Sequence, residues 1–130
     1  MPVDPTRLRS VDLFAGISDD DLALMASRME ERSVAAGEHL AREGASGYFF
    51  FVILDGTAEV SHRDDVVATL GPNDFFGETA ILEAVRRTAT VTATSEMVVG
   101  AMFGADFAKY EHDSPALHAH ITAAMSERGR

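Results

Sequence analysis

The chain has 130 residues, 46% of them hydrophobic and 25% charged, with no cysteine and a formal net charge of −10. That length and balance describe a single soluble globular domain, able to bury about two-thirds of its unfolded surface. The acidity argues against a general nucleic-acid or anionic-membrane surface, and the missing cysteines exclude disulfides and thiolate chemistry, as suits a cytoplasmic protein. The longest apolar run, 48–54, is seven residues, too short to span a bilayer, and the start Met1-Pro2-Val3-Asp4-Pro5-Thr6-Arg7 lacks the apolar stretch of a signal peptide.

A helical part, residues 1–31, comes first. Ser18 reads as an N-cap, with Asp19, Asp20 and Asp21 placing negative charge in the first turn, where the helix dipole favours it. Leu22, Met25, Ala26 and Met29 recur at i, i+3, i+4 and i+7, the stripe of an amphipathic helix. The aspartates lack the glycine and terminal glutamate of a calcium loop, so capping is their expected role. Residues 32–104 then read as short strands, with candidates at 38–41, 48–54, 57–63, 66–70, 88–94 and 97–103. Gly37, Gly44, Gly56 and Gly71 punctuate them, Asp64-Asp65 turns a hairpin, and Pro72-Asn73-Asp74 makes another bend. Such spacing predicts a mainly β, antiparallel barrel or jelly roll with flanking helices. The run Tyr48-Phe49-Phe50-Phe51-Val52-Ile53-Leu54 does not alternate, which predicts a strand buried on both faces, its aromatics in the core. Residues 105–130 return to helix: a short one through Asp106, Phe107, Lys109 and Tyr110, ending near His112-Asp113, then Ser114 as N-cap and Pro115 at the first position of a final helix. Leu117, Ile121, Ala124 and Met125 line one face of it. His118 and His120 project about 200° apart on a helix, so they make a poor metal pair and are expected in solvent.

The stretch with the most chemistry is 76–91. Gly77 lets the backbone approach a ligand closely, and Glu78, Thr79 and Ala80 open a short helical turn whose N–H groups face an anion. Arg87 then supplies a bidentate fork to the same anion as the chain enters a β-branched strand. Glu78 would repel a phosphate, but it makes sense as the acceptor of a hydroxyl beside one, as on a ribose. An anion and a sugar hydroxyl held together point to a nucleotide. The plainer reading is an ion pair between Glu78 and Arg87, worth little if exposed.

This stretch resembles the phosphate-binding cassette of cyclic nucleotide-binding domains, whose pattern is roughly F-G-E-x-A-L-x(5)-R-[AST]-A-x-V. It stands here as Phe76-Gly77-Glu78-Thr79-Ala80-Ile81, then Leu82 to Val85 and Arg86, then Arg87-Thr88-Ala89-Thr90-Val91. Other signatures follow in the family's order: Leu13-Phe14-Ala15-Gly16-Ile17-Ser18, Ala36-Gly37-Glu38, Glu43-Gly44, Phe51 to Gly56, and Leu70 to Glu78. The resemblance covers about residues 8–125 and implies an eight-stranded, jelly-roll-like β-roll (a double-stranded β-helix) flanked by helices. It implies further that Glu78 accepts the ribose 2′-OH, that Arg87 pairs with the cyclic phosphate, and that the N–H groups of Ala80 and Thr88 complete the cradle. Gly77 stays small beside the sugar, and Leu117, Ile121 and Met125 are candidate lid contacts over the base.

Two positions depart from the family pattern. Thr79 replaces an apolar residue, leaving its N–H available. Arg86 replaces a common proline, which leaves two arginines near the phosphate, though spacing favours Arg87. Thr88 bears on base choice, with cAMP slightly favoured and cGMP close behind.

The expected function is a stand-alone cyclic nucleotide-binding sensor, without enzymatic activity or cofactor, whose final helix relays binding to a separate effector protein. That helix is also a candidate homodimer contact. The competing class is a β-roll that keeps the cassette's shape but serves as a protein-interaction module without nucleotide.

Overall fold

The computed structural model describes residues 3–42, 44, 49–78, 81 and 89–128, with the backbone alone for 124–128. Two four-stranded antiparallel sheets face each other, and a layer of helices covers the outer face of one of them. The strands are β1 (Glu30–Val34), β2 (His39–Ala41), β3 (Phe49–Asp55), β4 (Ala58–His62), β5 (Asp65–Leu70), β6 (Phe75–Phe76), β7 (Thr90–Ala93) and β8 (Met97–Phe103). Sheet order is β1-β8-β3-β6 in one sheet and β2-β7-β4-β5 in the other. The helices are α1 (Pro5–Leu8), a 3₁₀ turn (Asp12–Phe14), α2 (Asp19–Ser27), α3 (Gly104–Asp113) and α4 (Pro115–Arg128). None of the described helices is long and apolar enough to cross a membrane.

The strand β3 explains the layering. Its even residues Phe50, Val52 and Leu54 join a cluster with Leu8, Phe14, Leu22, Met25, Met102, Phe107, Leu117 and Ile121, the helical side. Its odd residues Phe51 and Ile53 join Ala41, Ala58, Phe76, Val91, Ala93, Val99 and Ala101 between the sheets. Because side chains alternate across a strand, a run without polar breaks must be covered on both faces. The expectation for 48–54 therefore holds for 49–54, while Tyr48 lies outside the described residues.

Local signals hold well. Ser18 Oγ accepts from the Asp21 N–H at 3.2 Å, capping α2, and Ser114 Oγ accepts from the Leu117 N–H at 3.2 Å, capping α4. The β4–β5 hairpin turns on Arg63 and Asp64, both with positive φ (51° and 69°), and pairs His62 with Asp65. That is the two-residue turn whose twist suits a hairpin, one residue earlier than the Asp64-Asp65 turn expected from sequence.

Three differences from the sequence reading stand out. The helical part does not reach residue 31, since α2 ends at Ser27 and β1 begins at Glu30. Met29 stays buried in the helical cluster, but as a residue of the connection. Strand β1 is nearly all polar (Glu30-Glu31-Arg32-Ser33-Val34) and sits at a sheet edge, where charged residues are normal and no apolar alternation announces a strand. Strand β6, two residues long, is too short to leave a periodic signal.

Candidate functional site

The approach to Glu78 is built one peptide at a time. Gly71, Pro72, Asn73 and Asp74 form a turn closed by the Asp74 N–H to the Gly71 carbonyl at 3.1 Å, with Asn73 at φ 75°. Proline second and a positive-φ asparagine third is the arrangement of a type II turn. Asp74 Oδ2 accepts from the Gly71 N–H at 2.8 Å, which tightens it. The turn is clipped to β3 on both sides: Ile53 N–H to the Asp74 carbonyl at 2.8 Å, and Asn73 N–H to the Ile53 carbonyl at 2.9 Å. Phe75 and Phe76 thereby pair with Val52 and Phe51, and Phe76 stacks on Phe51 with ring centroids 4.9 Å apart. Gly77 follows at φ 100°, a conformation L side chains rarely adopt, and the chain turns into a helical residue at Glu78.

Glu78 is 1% exposed and is the one charged side chain buried among the described residues. Ionised carboxylates are rarely buried without a purpose, because losing water costs several kcal/mol per ion, by general estimates about that order. Ile81, the next described residue, is half-buried against the helical cluster, as are Tyr110 of α3 and Ala116 of α4. The cassette turn and the C-terminal helices thus lean on one shared core. Ile81 has no expected role from sequence; its signal is an apolar residue three after Glu78, in a stretch whose sequence predicts a helical turn.

Of the expected site residues, Gly77 and Glu78 are described, the first at positive φ and the second buried. Thr79, Ala80, Arg87 and Thr88 lie outside the described residues, as does the side chain of Met125. Leu117 and Ile121, expected as lid contacts, are 0% and 1% exposed inside the helical cluster with Phe14 and Phe107. A side chain enclosed there offers no surface to a ligand, so in this conformation both are core residues. The two histidines also differ from expectation in part. His118 is exposed and paired with Glu111, while His120 is half-buried and its Nδ1–H donates to the Leu13 carbonyl at 2.8 Å.

The interior between the sheets mixes small residues with Phe51, Ile53, Phe76 and Met97. Ala41, Ala58, Ala93 and Ala101 contribute to it, with half-buried Val60 and Leu70 at its margin. At the opposite, turn-lined end, Ser33, Val34, Ala35, Glu38, Asp55 and Glu96 border an open cleft with no cation among their side chains. With Glu38, Asp55 and Glu96 in its lining, that cleft is electrostatically unsuited to an anion.

Comparison with known proteins agrees with this fold. The family model described as cyclic nucleotide-binding domain matches residues 31–112. The chain is 38% identical over 96 residues to a cAMP-dependent protein kinase regulatory subunit of Eremothecium gossypii, covering 73% of this chain and 21% of the relative. It is 35% identical over 95 residues to the cGMP-dependent protein kinase, isozyme 1, of Drosophila melanogaster, covering 68% of this chain and 12% of the relative. The chain therefore spans about a fifth of the length of the first of those proteins and about an eighth of the second. The fold superposes on the regulatory domain of Toxoplasma gondii PKA, solved with cAMP, with a TM-score of 0.86 at 20% identity, covering 95% of this chain and 48% of that one.

Proposed function

This chain belongs to the cyclic nucleotide-binding domain family, and from that premise we propose that it is a cyclic nucleotide sensor whose occupancy is relayed through α4 to a partner protein. One observation carries the reading. The buried charged residue among those described, Glu78, follows a positive-φ glycine at the position where the family resemblance expects the sugar-binding carboxylate. In this reading Glu78 accepts the ribose 2′-OH, and Arg87 pairs with the phosphate. The N–H groups of Ala80 and Thr88 add neutral donors, and that of Thr79 is available beside them. A cyclic phosphate carries one negative charge, which one arginine and several amides satisfy without a metal. Binding contributes no bond-making step, so the protein acts as a switch: the ligand's differential affinity for two arrangements of the helices sets their populations.

The two relatives described above are named for cAMP and for cGMP dependence respectively. For this chain the ligand is proposed to be cAMP, with cGMP next, since Thr88 suits either base. The effector is proposed to be a separate protein.

Calorimetric titration with cAMP, cGMP and 5′-AMP tests the proposal. A cyclic nucleotide should bind at micromolar concentration and 5′-AMP should not. Arg87→Ala should lose about 2–5 kcal/mol of binding, as when one partner of a buried charge pair is removed. Absence of heat with both cyclic nucleotides would favour a protein-interaction module, and an unaffected Arg87→Ala would move the phosphate contact to Arg86.

A further inference from the structure

We infer that His120 and His118 form a two-sided clasp that holds α4 in a resting position, and that opening the clasp raises affinity for the nucleotide. The inference rests on the reading of α4 as the moving helix. The clasp itself rests on geometry. Positions i and i+2 of a helix project about 200° apart, so the two side chains leave α4 in nearly opposite directions. His120 reaches the N-terminal layer, where its Nδ1–H donates to the Leu13 carbonyl of the 3₁₀ turn at 2.8 Å in a half-buried contact. His118 reaches the other way to Glu111 of α3, whose side chain is only 15% exposed, forming an ion pair when protonated. The spacing that makes the pair a poor metal site suits it to pinning one helix between two neighbours.

Between the two histidine contacts, Leu117 and Ile121 are fully enclosed with Phe14 and Phe107. A helix whose apolar stripe lies in the core cannot present that stripe to a ligand. The clasped arrangement is therefore a state in which the cassette is not covered by Leu117 or Ile121. If ligand closure draws α4 from this position, the clasp lowers the fraction of binding-competent molecules, and apparent affinity falls by that fraction. Removing a clasp contact then tightens binding, opposite to what loss of a ligand contact would do.

Wild type, His120→Ala and Glu111→Gln should be compared by cyclic nucleotide titration, thermal unfolding and amide hydrogen exchange. In His120→Ala, affinity for cAMP or cGMP should rise about threefold to tenfold, the range of one net hydrogen bond. Amides of residues 116–123 should exchange faster in it, with those of β3 and β8 unchanged. Glu111→Gln, a near-isosteric change, should shift both readouts the same way by less, and it carries the test should His120→Ala not fold. Unchanged or weakened affinity in a folded variant overturns the clasp, as does unchanged protection of α4. Wild type that binds neither nucleotide refutes the proposed function instead, and α4 exchange alone then decides whether the clasp exists.

Discussion

The two faces of the β3–β8 sheet are packed on different terms. On the helical face, seventeen buried residues form one cluster, with phenylalanines, leucines and methionines prominent and Ala26 as its sole alanine among the described residues. On the inner face the cluster has ten residues, four of them alanine. Both exclude water, but the first is filled mainly by long side chains, while the second sets four alanines among Phe51, Ile53, Phe76 and Met97. The long side chains of the first fix the helices against the sheet. The helical face is thus where stability concentrates, and the inner face is where volume is controlled.

That contrast is open to direct attack. The largest expected effect is on the helical side: Phe107, wholly buried and stacked on Phe50 at 4.1 Å, should cost about 3–5 kcal/mol as Phe107→Ala, measured by urea unfolding. Next is the turn between β3 and β4. A Cβ on Gly56 would lie 2.4 Å from the Glu96 carbonyl oxygen, and its φ of 87° disfavours any side chain, so Gly56→Ala should lose about 2–4 kcal/mol. By contrast Gly100 meets only side chains, Val3 Cγ2 at 3.1 Å and Met29 Sδ at 3.4 Å, so Gly100→Ala should cost clearly less than Gly56→Ala in the same assay.

On the inner face the expected signature is different. Ala58→Leu overfills a fully buried site, costing about 1–3 kcal/mol of stability. It should also weaken nucleotide binding at temperatures where the variant is still folded. Equal losses of binding from Phe107→Ala and Ala58→Leu in folded protein would erase the distinction between the faces. The smallest effect is at the N-terminus. The Thr6 backbone N–H and then its hydroxyl bond to the Asp4 carboxylate and hold its pKa below the usual value. A depressed folded-state pKa means that the cap's contribution is present above the unfolded carboxylate pKa and fades as pH falls through the lowered one. Fraying of α1 in mild acid, followed by amide exchange of residues 6–8, should be abolished in Asp4→Asn, which keeps an acceptor without titrating.

Local rules were readable wherever one residue settles them. Ser18 and Ser114 cap helices as expected, and Gly77 takes a positive φ where the cassette requires a close turn. The unbroken run in β3 foretold a strand covered on both sides. Strand β1 was not readable, because an edge strand of charged residues resembles a loop until β8 pairs with it. Strand β6 exists only through its pairing with β3. Of the site, Glu78 was named from its chemistry together with Gly77, but its near-complete burial follows from neighbours that no spacing rule supplies.

His120 and Leu117 mark the same boundary on α4. The sequence by itself determined a capped amphipathic helix there, since i to i+4 periodicity and a Ser-Pro start are local properties of the chain. It likewise determined the antiparallel roll, since short strands separated by turn residues are also local features. Which surface the helix stripe meets was decided by tertiary structure alone. Leu117 and Ile121 would fit a ligand lid or a core equally well by hydrophobicity, and only the packing of Phe14 and Phe107 against them selects the core. The hydrophobic effect is non-directional, so a sequence specifies that a face will be buried without specifying its partner.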